Sequence, residues 1–473
     1  MPTVKIPLGP VGDAATEIVL SEEAAACIDG YIGSRGEIVR RPGLEFLFNY
    51  NSNKPIIGVY WWPHANKVVA IDPTQVYFGE LNTSGSSEIT FSPIGSYAVV
   101  PASEPRASFA TDGTYCFFTS GTNIYRISIG GSGPNVLIGP PSNPTHVAWL
   151  DGYLLCNNKD SNTFYWSNVN DYTTWAGGNL ASAAGDADYI DALHVINRQI
   201  FLFGKVSIEI WEDNGVTPFE RIPGGMINTG CCAPYSIIEA DGDFIFLDDR
   251  RRFVVLSGRS ITPIPCVYSS MIEGFADVSD CTGDRLTLRG RELLIFSFPK
   301  GGHTFVYNTQ NKTWTEFSHW IEGDEIRKAW IVSTLTYAVG WGRHVAGSRF
   351  ESEGYSIKED TYLDFTDTMR FCYRTGVIDH GSTRDKRSEE VRIRVLRGQA
   401  NVTDPKMMVR WRDNGDTAWS YEELIDLGNA GDTIIPVTLQ RNGIYQTRQW
   451  EFSVTDNVPV TLLDAEEDVT FLR

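Results

Sequence analysis

No run of apolar residues in the 473-residue chain approaches the roughly 18 that a membrane-crossing helix requires. Met1 to Pro10 lacks a charged region followed by an apolar one, so no signal peptide is expected. The chain is expected to be made in the cytoplasm and to insert in no membrane. Cysteine is sparse, and the eight (Cys27, Cys116, Cys156, Cys231, Cys232, Cys266, Cys281 and Cys372) include no Cys-x-x-Cys. That excludes the common zinc and redox spacings, and reduced, buried thiols are expected, including at the vicinal Cys231-Cys232. The histidines His64, His146, His194, His303, His319, His344 and His380 stand apart, with no His-Glu-x-x-His or His-x-His pair. Gly130-Gly131-Ser132-Gly133 lacks the Lys-Ser/Thr of a phosphate loop, and no Gly-x-Ser-x-Gly elbow occurs.

Basic surplus is missing too. Forty Lys and Arg stand against 59 Asp and Glu, a net charge of −19. Neutralising phosphates needs the opposite balance, so no nucleic-acid binding is expected, although an acidic wall lets DNA pass without sticking. The acids cluster at Asp186-Ala187-Asp188 with Asp191, at Asp248-Asp249, and at Asp413 with Asp416. None has ligands at alternate positions with Gly at the sixth, as an EF-hand needs, so solvated turns are expected. No catalytic, cofactor-binding or metal-ligating residue, and no cofactor, is therefore expected. Aromatics at 12%, with 13 Trp, exclude a disordered chain.

What is present is a repeat. Six times, at intervals of about 40 to 50 residues, an apolar strand enters a tight polar turn and a second apolar strand leaves it. The turns are His64-Ala65-Asn66, Thr111-Asp112-Gly113, Leu150-Asp151-Gly152, Ile196-Asn197-Arg198, Ala240-Asp241-Gly242 and Arg289-Gly290-Arg291, and a seventh is expected at Ser333-Thr334. Asp-Gly tolerates the positive φ of a two-residue hairpin. The strands that follow, such as Tyr115-Cys116-Phe117-Phe118 and Asp243-Phe244-Ile245-Phe246-Leu247, are continuously apolar, as when both faces are covered. Third strands such as Asn123 to Ile127 alternate more and are expected to have one wet face. Weaker fourth strands, Phe219 to Ile222 and Thr313 to Phe317, are expected at the exposed rim. About four strands per repeat is the pattern of a β-propeller blade. The last hairpin, Tyr337 to Trp341 and His344 to Gly347, lacks an obvious fourth strand, and Leu44-Glu45-Phe46-Leu47-Phe48 is available to close the ring. Seven blades are expected, with six as the alternative.

The expected organisation is an N-terminal extension at residues 1–41, an all-β propeller at 42–361 and an antiparallel β-sandwich-like domain at 362–473. In the last, Met369 to Arg374, Glu390 to Val395, Met407 to Trp411, Thr433 to Val437, Gln449 to Ser453 and Pro459 to Leu463 alternate strictly, which implies one buried and one wet face. His380 to Glu390 reads as a connecting loop, and the arginines on these strands as a solvated or interfacial face. In the extension only a short helix at Ser21 to Cys27 is expected, with Ser21 as its cap. This stretch has too little apolar surface to fold alone and must wrap a neighbour or pack on the propeller. Trp411-Arg412-Asp413-Asn414-Gly415-Asp416-Thr417-Ala418-Trp419-Ser420 is similar to the Asp-box hairpin of carbohydrate-active propellers, and reads as a turn held by the Asp413 carboxylate and anchored by Trp419.

Several segments together carry a family resemblance. They are Cys27-Ile28-Asp29-Gly30-Tyr31 with Arg40-Arg41-Pro42-Gly43-Leu44; Asp151-Gly152-Tyr153, Phe164-Tyr165-Trp166-Ser167 and Trp175; Phe203-Gly204 through Ile210-Trp211; Val409 to Gly415 with Trp419-Ser420; and Arg448-Gln449-Trp450-Glu451-Phe452. With these the chain resembles the packaged-DNA stabilisation and tail-nozzle (tail hub) proteins of short-tailed bacteriophages. Asp29 stands where that family's pattern has Asn, and Arg412 and Asp416 replace a Ser and a Gly of its final box. The resemblance implies a structural virion protein of the tail, without enzymatic activity. It implies a homo-hexameric ring below the portal and adaptor that extends the DNA channel, retains the packaged genome until ejection, and carries tail fibres, tailspikes or a needle. DNA would pass transiently without specific binding. A closed ring needs two different matching patches per subunit, and the sandwich and residues 1–41 are the expected contributors. The alternative is a propeller that binds or hydrolyses host surface carbohydrate, with Tyr60-Trp61-Trp62 stacking on sugar rings; the two carboxylates of a glycosidase cannot be assigned from this sequence.

Overall fold

The computed structural model describes residues 3–8, 26–50, 54–81, 89–97, 106–119, 121–183, 185, 188–215, 218–397, 402–429, 432 and 434–472. Seven four-stranded antiparallel blades form a β-propeller. Blades 1 to 6 take their strands in chain order and begin at Gly58–Trp62, Ser108–Thr111, Val147–Leu150, Ala192–Ile196, Ile238–Ala240 and Thr282–Leu288. Blade 7 has three strands of its own, Val332–Ala338, Arg343–Ser348 and Glu353–Lys358, and its fourth is Gly43–Asn49 from the other end of the propeller sequence. The ring is thus closed by hydrogen bonds between distant parts of the chain, by the segment that contains Leu44 to Phe48. The count is seven, not six.

The apolar second strands follow from packing. Successive residues on a strand point to opposite faces, and in each blade both faces meet a neighbour. In Tyr115–Thr119, Cys116 and Phe118 enter the core shared with blade 1, whereas Phe117 enters the core shared with blade 3. Seven such clusters each join two neighbouring blades, from 1/2 round to 7/1. The third strands differ: His303–Asn308 is buried at all but its first residue, because neighbouring blades cover it on both sides, whereas Arg126 and Ser128 of Ile124–Ser128 stay partly exposed.

The hairpin turns are where the repeat places them. Asp151-Gly152, Asn197-Arg198, Asp241-Gly242 and Arg289-Gly290 all have positive φ at both positions, the requirement of a type I′ turn. The seventh is not at Ser333-Thr334, which lie inside Val332–Ala338. The chain turns at Val339–Trp341 with Gly342 left-handed, as it does at Pro63–Ala65 with Asn66 left-handed in blade 1.

The remaining strands form a two-sheet sandwich. In one sheet Val460–Phe471 lies between Lys386–Arg397 and the N-terminal strands Thr3–Ile6 and Ile38–Arg40. Ile434–Gln440 and Gly30–Ile32 flank these. In the other, Ala26–Ile28, Phe371–Arg374, Arg448–Val454, Lys406–Asp413 and Glu423–Asp426 follow in order. Their facing side chains, among them Cys27, Ile38, Phe371, Val391, Val409, Trp450, Phe452 and Leu462, form one core. The described strands of the N-terminal stretch enter the sandwich and also pack on the propeller: Ile28 pairs with Glu316, Tyr31 and Val39 lie in the core of blades 6 and 7, and the Ile32 carbonyl oxygen accepts from Asn308 and Asn311. Of the expected helix, Ser21 to Ala25 lie outside the described residues, and Ala26 and Cys27 are strand. His380 to Glu390 is not all loop, since the strand starts at Lys386, and the last strand runs on through Asp464 to Asp468 because Arg392 and Arg394 opposite neutralise them. Thr313–Glu316 is no exposed rim. Ile28 pairs in parallel with Glu316, so the sheet of blade 6 continues into the sandwich.

All eight cysteines are free, and six are buried. Phe48 sits between blades 7 and 1 against Gly354, where an added Cβ would lie 1.9 Å from the ring. We expect Phe48→Ala to cost about 3–5 kcal/mol in urea unfolding through cavity formation between these blades. Glu45→Ala, on the half-exposed side of the same strand, should change stability by no more than about 0.5 kcal/mol. Equal effects would mean that closure does not depend on that ring.

Candidate functional site

The first pair of family-like segments forms the joint between propeller and sandwich. Ile38–Arg40 ends in one arginine and Arg41 follows it, and the two guanidinium groups leave the backbone in opposite directions. Arg40 turns into the sandwich and donates to the carbonyl oxygens of Met369 (2.7 Å), Val458 (3.0 Å), Tyr362 (3.2 Å), Thr455 (3.4 Å) and Asp456. No carboxylate meets it there, and burial pulls its pKa down to about 9, so it stays charged at neutral pH.

Arg41 turns the other way. Its two Nη groups donate to both oxygens of Asp364 at 2.8 and 2.6 Å, its Nε to Asp29 at 2.9 Å, and the guanidinium lies 5.3 Å from the rings of Phe317 and Trp330. Asp29 also accepts from the Ser318 amide (2.9 Å), the Ser318 hydroxyl (2.6 Å) and Arg327 (3.1 Å). Arg41, Asp29 and Asp364 are all buried. Burial disfavours the Arg41 charge, but the two carboxylates outweigh it and hold its pKa above the ordinary value. A bidentate pair with its other lone pairs satisfied is the arrangement in which a buried charge is tolerated.

The local backbone explains the motif. Asp29 is left-handed at φ 56°, a conformation that Asn and Asp adopt more readily than most residues, so its replacement of Asn keeps the turn and adds a charge for Arg41. Gly30 and Gly43 are required by close approach: an added Cβ would lie 2.7 Å from the Phe371 ring at the first, and 2.1 Å from the Leu363 carbonyl oxygen at the second.

Two more family-like segments are one structure. Trp411, Arg412 and Asp413 pair across strands with Trp450, Gln449 and Arg448. Asp413 accepts from Arg448 at 2.6 and 2.7 Å, and the Arg448 guanidinium lies 4.2 Å from the Tyr445 ring and about 5 Å from those of Trp450 and Trp411. The expected Asp-box turn exists, but it is closed by the Asp416 amide donating to the Asp413 carbonyl oxygen and not by the Asp413 carboxylate, and Asn414 ties it to the next loop by accepting from the amides of Gln446 and Thr447. Trp419 lies 5.0 Å from the guanidinium groups of Arg374, Arg410 and Arg412, and Glu451 is bound by Arg374 and Arg410. These arginines are consumed by contacts within the chain, not set out as a solvated face. In the middle segments Glu209 accepts from the Gly185 amide and the Trp211 indole, and Asp188 from the amides of Val206 and Ser207. Asp248 caps Arg250 and Arg252. Asp186 lies outside the described residues. Trp61 and Trp62 are buried, and Tyr60 stacks on Phe109 at 5.1 Å, so this run is blade packing and offers no platform for sugars.

The centre of the propeller is bridged. First strands of neighbouring blades approach one another around the ring, which makes them the innermost. Across the opening they leave, Arg106 before blade 2 reaches blades 6 and 7, donating to the Gly283 carbonyl (2.7 Å), the Asp284 carboxylate and the Thr334 hydroxyl (3.1 Å). Asp284 also accepts from the Leu335 amide at 3.0 Å. Nearer blades 3 to 5, His146 lies 5.5 Å from His194 and 5.0 Å from Tyr235, ring to ring. Two surface clefts, one beside Arg40 and one beside Asp188, enclose about 10 Å³ each, far below the roughly 300–1,000 Å³ of small-molecule sites. None of these features was singled out from sequence. Arg106 and Asp284 are single charged residues without a local pattern, and only closure of the ring brings them together.

Arg41→Met should cost about 3–5 kcal/mol, because it leaves Asp29 and Asp364 buried beside less cation; guanidinium unfolding of the purified variant measures this. Acid should also destabilise the fold. Burial lowers the pKa of His194 to about 4 and holds that of His146 well below the ordinary value. The unfolded chain therefore binds more protons between about pH 6.5 and 4, and stability falls as pH drops through that window. The loss is about 2 kcal/mol for His194 at pH 5. His303, which Glu316 holds above the ordinary value, and Asp191, whose carboxyl burial pushes up to about 6, work in the opposite sense, so the histidine share is read from the difference between wild type and His194→Gln. Urea unfolding at pH 7 and pH 5 should show the loss, and His194→Gln should reduce it.

The geometry finds its counterpart in comparison with known proteins. No curated protein matches the chain. Among solved structures, the WD40 β-propeller domain of Doa1 is similar at 11% identity with a TM-score of 0.43, over 67% of this chain and 97% of that one. A protein family described as "Bacteriophage P22 Gp10, beta-propeller" matches residues 73–340. That match spans more than half of the 473 residues, with blades 2 to 6 whole and blades 1 and 7 in part, and the chain belongs to this phage-stabilisation family of structural tail proteins.

Proposed function

We propose that the protein is a subunit of a tail-nozzle ring, a homo-hexamer below the portal and adaptor that extends the DNA channel, retains the packaged genome and carries fibres, spikes or a needle. The observation that carries this reading is the family match over the propeller itself. The bridged axis supports a particular route. With Arg106 held by Asp284 and Thr334 across the opening, DNA passes along the axis of the ring of subunits and not through a single propeller. A net charge of −19 favours a lumen without binding wells for phosphates. The role needs no catalysis, only rigidity, which the hydrogen-bonded sheet across Ile28 and Glu316 and the buried clasp at Arg40 and Arg41 favour.

Cryo-electron microscopy of virions from the phage that encodes this chain tests the proposal. Density for the chain as a sixfold ring on the tail axis, with an open lumen, is the expected result. Density away from the axis, or at fibre tips alone, would sink the nozzle role and favour receptor or carbohydrate binding.

A further inference from the structure

The two arginines of the clasp differ in how their charge is met. Arg41 has two carboxylates, whereas Arg40, 2% exposed, has carbonyl oxygens alone, and its Nε, buried too, has no hydrogen-bond partner among the described residues. The carboxylates closest to it in the fold are engaged elsewhere. Asp29 binds Arg41, Ser318 and Arg327, and Asp456, whose carbonyl oxygen Arg40 holds, turns its carboxylate to the Lys406 amide at 2.8 Å. Carbonyl dipoles solvate a cation without neutralising it, and a buried charge without a counter-charge is costly. The consequence shows in the opposite pKa shifts of the pair, down to about 9 for Arg40 and upward for Arg41.

Arg40 also lines the cleft of about 10 Å³ noted above, together with Tyr31, Arg289, Glu359 and Tyr362. Three parts of the chain meet there: Tyr31 comes from the sandwich, Arg289 from the first hairpin turn of blade 6, and Glu359 and Tyr362 from the link that leaves blade 7. The space admits one water-sized group. Its lining carries two guanidinium groups and one carboxylate, Glu359, whose contact with Arg289 at 3.3 Å is half exposed and screened by solvent. Arg291, 5.7 Å from the Tyr31 ring, adds a third cation, and Glu37 at 3.5 Å offsets it. The cleft beside Asp188 is of the same size, yet the charged side chains lining it are the carboxylates of Asp188 and Glu209. Of the two clefts, the one at Arg40 has the sign that suits an anion.

We propose that this cleft binds one small monovalent anion of the size of chloride, which supplies the counter-charge that Arg40 lacks and ties the sandwich, blade 6 and the exit of blade 7 together. Arg289 holds the anion from the solvent side, and Glu359 opposes it and so limits its affinity.

The test is calorimetric melting of the full chain as sodium chloride replaces sodium gluconate at constant ionic strength, since gluconate is too large for the cleft. The wild-type melting temperature should rise by about 1–2 °C and level off, as binding to a single site requires. Arg289→Gln, on a half-exposed turn, should abolish the saturating rise. Glu359→Gln should shift its midpoint to lower chloride, an opposite effect that loss of a merely structural ion pair would not produce. Crystals of the wild-type chain grown in sodium bromide should show an anomalous peak between Arg289 and Tyr31. A rise that never levels off, or one of equal size and midpoint in the wild type and both variants, would be a general salt effect and would overturn the proposal. Bromide crystals without a peak in the cleft would overturn it as well.

Discussion

Arg40 and Arg41 hold the molecule together at the one place where all its parts meet. The chain runs from the sandwich into the propeller at these residues, closes the ring with the next strand, and returns to the sandwich near Asp364. Consecutive extended residues project to opposite sides, so one arginine serves each body. Arg40 gathers five carbonyl oxygens from the sandwich segments, and Arg41 gathers two carboxylates and the Ser318 carbonyl. Each guanidinium offers five donors in a plane, which an ammonium cannot, so lysine is not an equivalent at either position.

The joint is covalently economical and mechanically stiff. Ala26–Ile28 pairs with the outer strand of blade 6 on one side and with Phe371–Arg374 of the sandwich on the other, so hydrogen bonding is not interrupted between the two bodies. The seven inter-blade cores transmit the same stiffness around the ring, because each second strand shares its side chains between two neighbours. The axial bridge at Arg106 adds a tie between blades on opposite sides of the ring.

Burial reassigns many of the charged residues that the sequence displays most openly. Asp464 and Asp468 look like a solvated tail, yet they extend a strand because Arg394 and Arg392 face them. Arg374, Arg410 and Arg412 look like a basic face, yet Trp419 and Glu451 cover them.

The sequence by itself determined the repeat, its four-stranded unit, most of the hairpin turns and the identity of the ring-closing strand, because these rest on local signals: periodicity of apolar residues and turn chemistry such as Asp241-Gly242. It also marked Arg40-Arg41-Pro42-Gly43 and Trp411 to Gly415 as motifs without revealing that the second pairs with Arg448. The N-terminal strands were not legible, since Ala26–Ile28 and Ile38–Arg40 are three residues each and take their burial from strands more than 300 positions away. The seventh turn was misplaced for a similar reason: Ser333 and Thr334 are polar inside a strand, and their hydroxyls meet Ile56 and Arg106 across the closed ring. Only the tertiary structure decided which charges are buried, what bridges the axis and which aromatics stay exposed, because each depends on distances between residues far apart in the chain.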